Sequence, residues 1–317
     1  MITQGQLRLI SRHYAGHGEP YAFLELAQEH FLLWMMREGL FDIGPEDVVF
    51  KGGTAIRKYR LGLRGRFSTD LDFAIADGAY ADHIITSLDQ GLIDLEGVRF
   101  RATSIDVPAA KAQWIAVVDG LGETMEAKIE FTRRPTLLPP TMPETRPEIP
   151  GFSPQLIGFD LPLVPLMRLE ENLSEKLARF RRIIRSRDLY DLAALGREVR
   201  DALPLIRLSA CFKVYFDVVR DGRVSPAPFL AGPEFMNRTT DEIFDPDDLG
   251  LIMGGRVDYA SMLGTIASMF GPMGTPQGEL EERLAQLSPK DLWWAEQQYE
   301  ELRTVYRSLS PEPAPVV

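Results

Sequence analysis

Seven prolines between positions 135 and 154 divide this 317-residue sequence into two parts with different patterns. Proline lacks an amide hydrogen and fixes φ, so a segment this rich in proline forms neither a helix nor a central strand. Before it, β-branched and aromatic runs alternate with helical patterns, which predicts a mixed sheet with packed helices. After it, apolar residues recur at spacings of three and four, which predicts helices. We expect an α+β domain over residues 1–150, an all-α domain over residues 151–310 and a disordered tail at 311–317.

The composition is that of a folded, soluble protein. The sequence has no uninterrupted apolar run of about 18 residues, and its first residues lack the apolar core and cleavage site of a signal peptide. We therefore expect a cytoplasmic protein with no membrane contact. Cys211 is the single cysteine, and its apolar neighbours predict a buried thiol rather than a nucleophile.

The positive charge is concentrated locally, although the formal net charge is −11. Residues 51–69 and 176–187 contain no acidic residue and together hold 12 of the 35 lysines and arginines. Each window is either a solvated helix face or an anion-binding surface, and the pattern alone does not separate the two. Within the first window, Lys51 and Arg57 are our candidates for substrate binding.

A strand, turn, helix and strand unit surrounds the first window. VVFKGGT predicts a short strand that ends at Gly52 and Gly53, followed by a helix that Thr54 caps. Backbone N–H groups at such a turn, together with the positive end of the helix, can receive phosphate oxygens. Neither GxxxxGK[ST] nor GxGxxG is present, so this is not a Walker A loop or a dinucleotide fingerprint.

The strand DLDFAI places Asp70 and Asp72 on one face, because side chains alternate along a strand. Two neighbouring carboxylates raise each other's pKa unless a cation neutralises them, and Mg²⁺ prefers such ligands together with substrate phosphates. The alternative is a pair of solvent-facing aspartates on an edge strand. The glycine turn upstream favours the metal site, since it would bring a triphosphate to the same place.

TMEAKIEFT predicts a second amphipathic strand, with Glu126, Lys128 and Glu130 on its charged face. If this strand neighbours the DLD strand, Glu130 completes a cluster of three carboxylates for two cations. An ordinary amphipathic strand is the alternative.

The segments KGGTAIRKY, RFSTDLDF, KIEFT and EKLARFRRIIRSRDLYDLAAL, in that order over about residues 45–195, resemble the AbiEii/MenT-type nucleotidyltransferase toxins. The resemblance implies a polymerase-β-like nucleotidyltransferase fold. It also implies that Gly52, Gly53 and Thr54 cradle a triphosphate, that Asp70 and Asp72 hold magnesium, and that Ser68 touches the triphosphate. Lys176, with Asp188 or Asp191, corresponds to the family's second functional cluster.

The residue types and spacing at Lys176, Asp188 and Asp191 are also consistent with roles in a nucleotide site. Lys176 would neutralise charge on the β- and γ-phosphates, unless it is a solvated helix lysine. Asp188 and Asp191 share a helix face, where one could cap the helix or hold an arginine. We assign Asp191 to catalysis and Asp188 to a structural role beside the substrate.

The prediction is a magnesium-dependent nucleotidyltransferase toxin that transfers NMP from an NTP to an acceptor hydroxyl. By family resemblance the acceptor is the 3′ end of tRNA, the transfer blocks translation, and a cognate antitoxin restrains the protein. Two alternatives stay open: a small-molecule or protein hydroxyl as acceptor, and a non-catalytic regulator that retains the fold.

Overall fold

The computed structural model describes residues 2–12, 14, 18–42, 44, 47–149, 151–219, 244–250, 252 and 257–309. The tail at 311–317, predicted to be disordered, lies outside these residues. The contacts divide the chain into two units, which are described separately below. One contains Met1–Thr136 and Pro140–Met167, and the other contains Leu137–Pro139 and most of the chain after Met167.

Two helices open the first unit, as their apolar spacing predicts. Helix α1 (Gln4–Ser11) begins after Thr3, whose hydroxyl accepts a hydrogen bond from Gln6 N. Helix α2 (Glu19–Arg37) is buried without interruption over residues 22–35. A helix that is buried all round lies in the core rather than on a surface. The acidic side chains of α2 must therefore find partners inside the protein.

A seven-stranded mixed sheet forms the centre of the first unit. Its strands are β1 (Val48–Lys51), β2 (Leu71–Ile75), β3 (Ile93–Leu95), β4 (Val98–Asp106), β5 (Lys111–Val118), β6 (Gly122–Glu123) and β7 (Ala127–Thr132). The order is β1-β2-β7-β5-β4-β3, with β6 paired to β5. The β2–β7 pair is parallel and the other pairs are antiparallel. The α+β fold with a mixed sheet is confirmed.

Aromatic side chains cover one face of this sheet. The ring of Phe73 on β2 lies 5.1 Å from Phe50 on β1 and 5.6 Å from Phe131 on β7. Phe31 of α2 stacks on Trp114 of β5 at 5.8 Å. Removing one such buried ring costs about 3–5 kcal/mol, so this layer fixes the strand order. The opposite face carries a small apolar cluster of Val49, Ala74 and Met167 and, at the ends of β1 and β2, the polar residues Lys51 and Asp72.

The connection after β2 contains a helix that ends before the helical spacing of its apolar residues does. Helix α4 (Gly78–Asp89) ends early, because Gly91 adopts φ +63° and Leu92 N donates to Ser87 O. This Schellman-type closure stops the helix, and the residues that follow form β3 instead. Helix α3 (Gly52–Ile56) and a π-helical turn (Arg57–Leu61) link β1 to β2.

The proline-rich segment has no helix or ladder strand among its described residues up to Ser153. Leu166 pairs with both Phe50 and Thr141, and Phe152 and Phe159 join the core of the first unit. Residues 151–167, including helix α5 (Pro154–Ile157), thus pack with the sheet, whereas the sequence analysis assigned them to the helical domain. The reason is apolar burial, which a proline count does not reveal.

The second unit is helical, as predicted. Its helices are α6 (Leu169–Arg179), α7 (Ser186–Leu195), α8 (Leu203–Val214), α9 (Pro246–Leu249), α10 (Tyr259–Phe270), α11 (Glu279–Leu284) and α12 (Leu292–Leu309). Cys211 is buried, and burial raises the pKa of its thiol. The described helices include none with the length and apolarity needed to cross a bilayer.

Candidate active site

Three carboxylates gather at the junction of β2 and β7. Asp72 pairs directly with Glu130 in the parallel register of these strands, and Asp70 immediately precedes β2. Leu71 and Phe73 are fully buried, so Asp72 points to the other, polar face. The KIEFT strand therefore neighbours the DLD strand, which was the condition for Glu130 to lie near the two aspartates. Because β2 lies between β1 and β7, the alternative of an edge strand is excluded.

Neighbouring cations neutralise the carboxylates at this junction to different extents. Burial, and then the neighbouring Asp70 carboxylate, raise the pKa of Asp72 to about 6. Burial alone would also raise the pKa of Glu130, but Lys128 and Lys111 together lower it. Lys111 Nζ lies 3.0 Å from Glu130 Oε1, and Lys128 Nζ lies 2.8 Å from Glu130 Oε2. The two lysines therefore neutralise the charge of Glu130, whereas the Asp70 carboxylate repels that of Asp72.

Asp70 and Asp72 have the chemistry of a magnesium site. They are hard oxygen donors on a rigid sheet, and the raised pKa of Asp72 shows negative charge that a cation would relieve. Within the described part of the chain, no three His, Cys, Asp or Glu side chains are grouped closely enough to hold one ion. Two carboxylates plus substrate oxygens are what Mg²⁺ usually takes from a protein, so the pair fits.

The glycine turn packs directly against the carboxylates. Gly52 has φ +79°, and a Cβ added there would collide with Asp72 Oδ2. A Cβ on Gly53 would collide with the Arg66 guanidinium and lie 3.2 Å from Ser68 Oγ. Gly52 is thus required both for its conformation and for the close approach of Asp72, whereas Gly53 makes room for the Arg66 guanidinium. The turn and the DLD strand form one local structure.

Lys51, Asp72 and Glu130 form a row of charged residues across β1, β2 and β7. Lys51 ends β1 and is the antiparallel partner of Asp72, and its positive charge acts to lower the pKa of that carboxyl. Asp72 therefore has a lysine on one neighbouring strand and Glu130 on the other. Lys51 is 8% exposed, so it is a buried residue of the site and not a surface charge.

Thr54 does not cap the helix, in contrast to the prediction. Helix α3 begins at Gly52, two residues earlier, and Thr54 is buried within its first turn. Its hydroxyl donates to the carbonyls of Asp70 and Ser68. Gln28 of α2 donates to the Ser68 and Thr69 carbonyls at 3.1 and 3.0 Å. These hydrogen bonds hold Ser68 and the approach to Asp70 against the glycine turn.

Arg57 and Lys58, from the first basic window, are neither solvated nor available to an anion. Both are at most 1% exposed, and both pair with Glu25. Lys58 Nζ also lies 2.7 Å from Glu29, which Arg146 holds in a bidentate pair at 2.7 and 2.8 Å. The assignment of Arg57 to substrate binding is therefore wrong in this structure, because the guanidinium is enclosed by its own counterion.

The residues that enclose Arg57 were not among those predicted from the sequence. Glu25 and Glu29 lie one helical turn apart in α2, within a fully buried stretch whose other residues are mostly apolar. Two carboxylates four residues apart in a buried helix require buried cations, and that spacing was the available signal. Tyr14 adds a hydrogen bond to Glu25 at 2.9 Å.

The second cluster is formed within the helical unit. Lys176 is 4% exposed, and its Nζ lies 2.7 Å from Asp191 and 3.3 Å from Asp188. The solvated-lysine alternative is thereby excluded. Asp188 accepts from Arg179 at 3.1 Å, which agrees with its structural role. Arg185 pairs with Asp248 at 3.1 Å, so this basic window also contains internal ion pairs.

The two units have the features of a nucleotidyltransferase. One is a mixed sheet in which a glycine turn packs against two aspartates at the start of β2, and the other is a helical part that carries a cluster of one lysine and two aspartates. The chain belongs to the AbiEii family. The matching model describes the nucleotidyl transferase AbiEii toxin of a type IV toxin-antitoxin system and covers residues 38–286. The protein is therefore a nucleotidyltransferase toxin of that class.

One solved structure agrees with this assignment. MenT4, a nucleotidyltransferase toxin from Mycobacterium tuberculosis H37Rv, is similar at 31% identity and TM-score 0.80, over 96% of this chain and 99% of its own. The likeness thus extends beyond residue 195, where the sequence resemblance ended. JHP933 from Helicobacter pylori aligns at 15% identity and TM-score 0.37, over 90% of this chain and 97% of its own, and supports no argument. A comparison with curated proteins gave no match.

Proposed function

We propose that this toxin uses Mg²⁺ to transfer NMP from an NTP to the 3′ end of tRNA, and that the transfer blocks translation. The observation that carries the metal-dependent chemistry is the pairing of Asp72 with Glu130 beside the Gly52 turn. It brings carboxylates and an anion-receptive backbone turn to one place, which is the arrangement that phosphoryl transfer requires.

The site residues divide between metal and phosphate. Asp70 and Asp72 hold the metal, which supplies charge neutralisation for the triphosphate and the departing pyrophosphate. The N–H groups that follow Gly52 receive phosphate oxygens, and Lys51 adds positive charge beside them. Catalysis in this scheme consists of positioning and electrostatic stabilisation, with no covalent enzyme intermediate.

Glu130 contributes through its lysines. Its two oxygens bind Lys111 and Lys128, and the pairing holds the Lys128 ammonium 3.9 Å from Asp70 Oδ2. As a third metal ligand, the role predicted from the sequence, Glu130 must first release those lysines. Lys176 and Asp191 are assigned by the family resemblance, and their short ion pair gives the lysine a defined position.

The choice of tRNA as acceptor rests on the family. Buried ion pairs use much of the charge in the two basic windows, so the windows themselves support RNA binding less than their composition suggested. Arg60, Arg64 and Arg182 remain exposed and are candidates for phosphate contacts. The type IV assignment implies an NTP substrate and an antitoxin partner, and we place the reaction in the cytoplasm.

The deciding experiment incubates the purified protein with Mg²⁺, total RNA and each labelled NTP in turn. Label on tRNA that is absent with EDTA, and absent for Asp70→Asn and Asp72→Asn, supports the proposal. Asp89→Asn is the matched control, because this exposed carboxylate ends α4 away from the site. Label on protein or on a small molecule alone overturns the tRNA acceptor. Absence of turnover with every NTP and acceptor favours the non-catalytic regulator.

A further inference from the structure

Lys128 lies on the polar face of β7 between two carboxylates of the site. Its Nζ is 2.8 Å from Glu130 Oε2 and 3.9 Å from Asp70 Oδ2. The side chain is 37% exposed, so its ammonium reaches the carboxylates from solvent and is not locked in the core. A positive charge of the protein itself thus bridges two members of the proposed metal site.

The sheet register fixes this bridge. Lys128 and Glu130 are two residues apart on one strand, and Lys111 is the β5 partner of Glu130. Their side chains must therefore share one face, whatever the rotamers. Lys111 Nζ takes the other oxygen of Glu130 at 3.0 Å. A cation that binds Asp70 from this face meets the Lys128 ammonium, which is already there.

We propose that Lys128 acts as a built-in counterion that competes with the divalent cation for Asp70 and Glu130. This inference rests on the proposed magnesium-dependent function. In the free protein Lys128 neutralises the carboxylates and keeps divalent-cation affinity low. When an NTP arrives with its cation, the ammonium exchanges a carboxylate for a phosphate oxygen, which is an equally good partner.

The exchange has a thermodynamic consequence. A lysine that opposes the metal in the free protein, and pairs with phosphate in the complex, makes metal and NTP bind cooperatively. By linkage, each ligand then raises the affinity of the other by the same factor. Lys128 is a positioning residue in this scheme, and it sets the order in which the site fills.

The test is a titration of the free protein with Mn²⁺, followed by electron paramagnetic resonance, which needs no turnover. We expect Lys128→Met to bind Mn²⁺ about three- to tenfold more tightly than the wild type, as expected for loss of one or two partly exposed ion pairs. With a non-hydrolysable NTP analogue present, this gain should disappear. A gain in affinity that Asp70→Asn abolishes cannot result from misfolding, because an unfolded chain binds Mn²⁺ without depending on one carboxylate.

Arg99→Met is the matched control. Arg99 pairs with Val117, six residues along β5 from Lys111 and about 20 Å away, and its own partner is Asp119. The Arg99→Met substitution removes one positive charge from the same sheet and should leave the affinity for Mn²⁺ unchanged. If Arg99→Met tightens Mn²⁺ binding as much as Lys128→Met, the effect is general electrostatics and the inference is overturned.

The inference and the proposed function fail in different ways. Unchanged or weaker Mn²⁺ binding by Lys128→Met, at a site that Asp70→Asn abolishes, overturns the counterion role alone. A wild-type protein whose Mn²⁺ binding does not depend on Asp70 or Asp72 overturns both. Lys128→Gln, with its shorter polar side chain, should reproduce the tighter binding, and its failure to do so counts against the role of the charge.

Discussion

Asp72 lies directly opposite Glu130 in the parallel pairing of β2 and β7. The two carboxylates nevertheless differ in state, because lysines neutralise Glu130 while burial and Asp70 raise the pKa of Asp72 to about 6. The site thus holds a negative charge that is costly to the fold in the absence of a cation. Fold stability and function are in conflict at this residue.

Asp72→Asn should stabilise the metal-free protein at neutral pH. The amide removes a buried charge next to Asp70, and we expect a gain of about 1 kcal/mol in the free energy of unfolding. Thermal unfolding in EDTA measures it. Added Mg²⁺ should raise the unfolding temperature of the wild type and leave that of the variant unchanged. A variant less stable than the wild type would contradict this account of the site.

Gly52→Ala should impair NTP binding well beyond its cost in stability. The new Cβ collides with Asp72, so the carboxylate and the turn must both move. Gly91→Ala is the matched control, since Gly91 also has positive φ and a Cβ there meets nothing within 4 Å. Each variant should lose about 1 kcal/mol of stability from backbone strain. Equal NTP affinity in the two variants would exclude a role for the turn in phosphate binding.

Arg57→Met should destabilise the fold rather than selectively weaken substrate binding. It leaves the buried carboxylate of Glu25 with one cation fewer, which costs about 3–5 kcal/mol in comparable buried pairs. Arg60→Met, three residues on and exposed, should change stability by less than about 0.5 kcal/mol. Urea denaturation compares them. A stable Arg57→Met protein that no longer binds NTP would restore the substrate-binding role of Arg57.

The buried network should also make stability depend on acid pH. Burial alone would raise the pKa of Glu29, but Arg146 and Lys58 lower it to about 2, against about 4.3 in an unfolded chain. The unfolded state then binds the proton first, so the stabilisation is complete above about pH 4.5 and is lost as pH falls toward 2.

Glu29→Gln measures that contribution. The difference in unfolding free energy between wild type and variant should be about 1–3 kcal/mol at pH 6 and should shrink steadily below pH 4.5. Chemical denaturation at several pH values follows it. A difference that stays constant from pH 6 to pH 3 would show that Glu29 is not charged in the way its ion pairs indicate.

The role of Lys176 can be tested by replacing its ion pair with Asp191 by a pair of apolar side chains. Lys176→Met alone leaves Asp191 buried without its nearest cation and should be strongly destabilising. Combination with Asp191→Leu should recover most of the stability, because well-packed apolar pairs often replace buried ion pairs without loss. If the double variant folds and transfers NMP normally, the pair is structural. We expect it to fold and to have lost transfer.

Local patterns in the sequence were sufficient for the order of helices and strands around the site and for one half of the site. Alternation placed Asp70 and Asp72 on one face, and the glycine pair indicated a turn, because both properties depend on neighbours within a few residues. Helix ends were less predictable: α3 begins at Gly52 rather than after Thr54, and Gly91 closes α4 through a positive φ that apolar spacing does not encode.

The sequence by itself determined which residues carry the chemistry: the glycine turn, the DLD strand and the charged face that includes Glu130. Only the tertiary structure decided which charges remain available to a substrate. Arg57 and Lys58 are the residue types that form phosphate-binding surfaces. In this fold, however, Glu25 and Glu29 of α2, which is distant in sequence, enclose them. A buried cation must be paired with a carboxylate, and the fold alone determines which carboxylate reaches it.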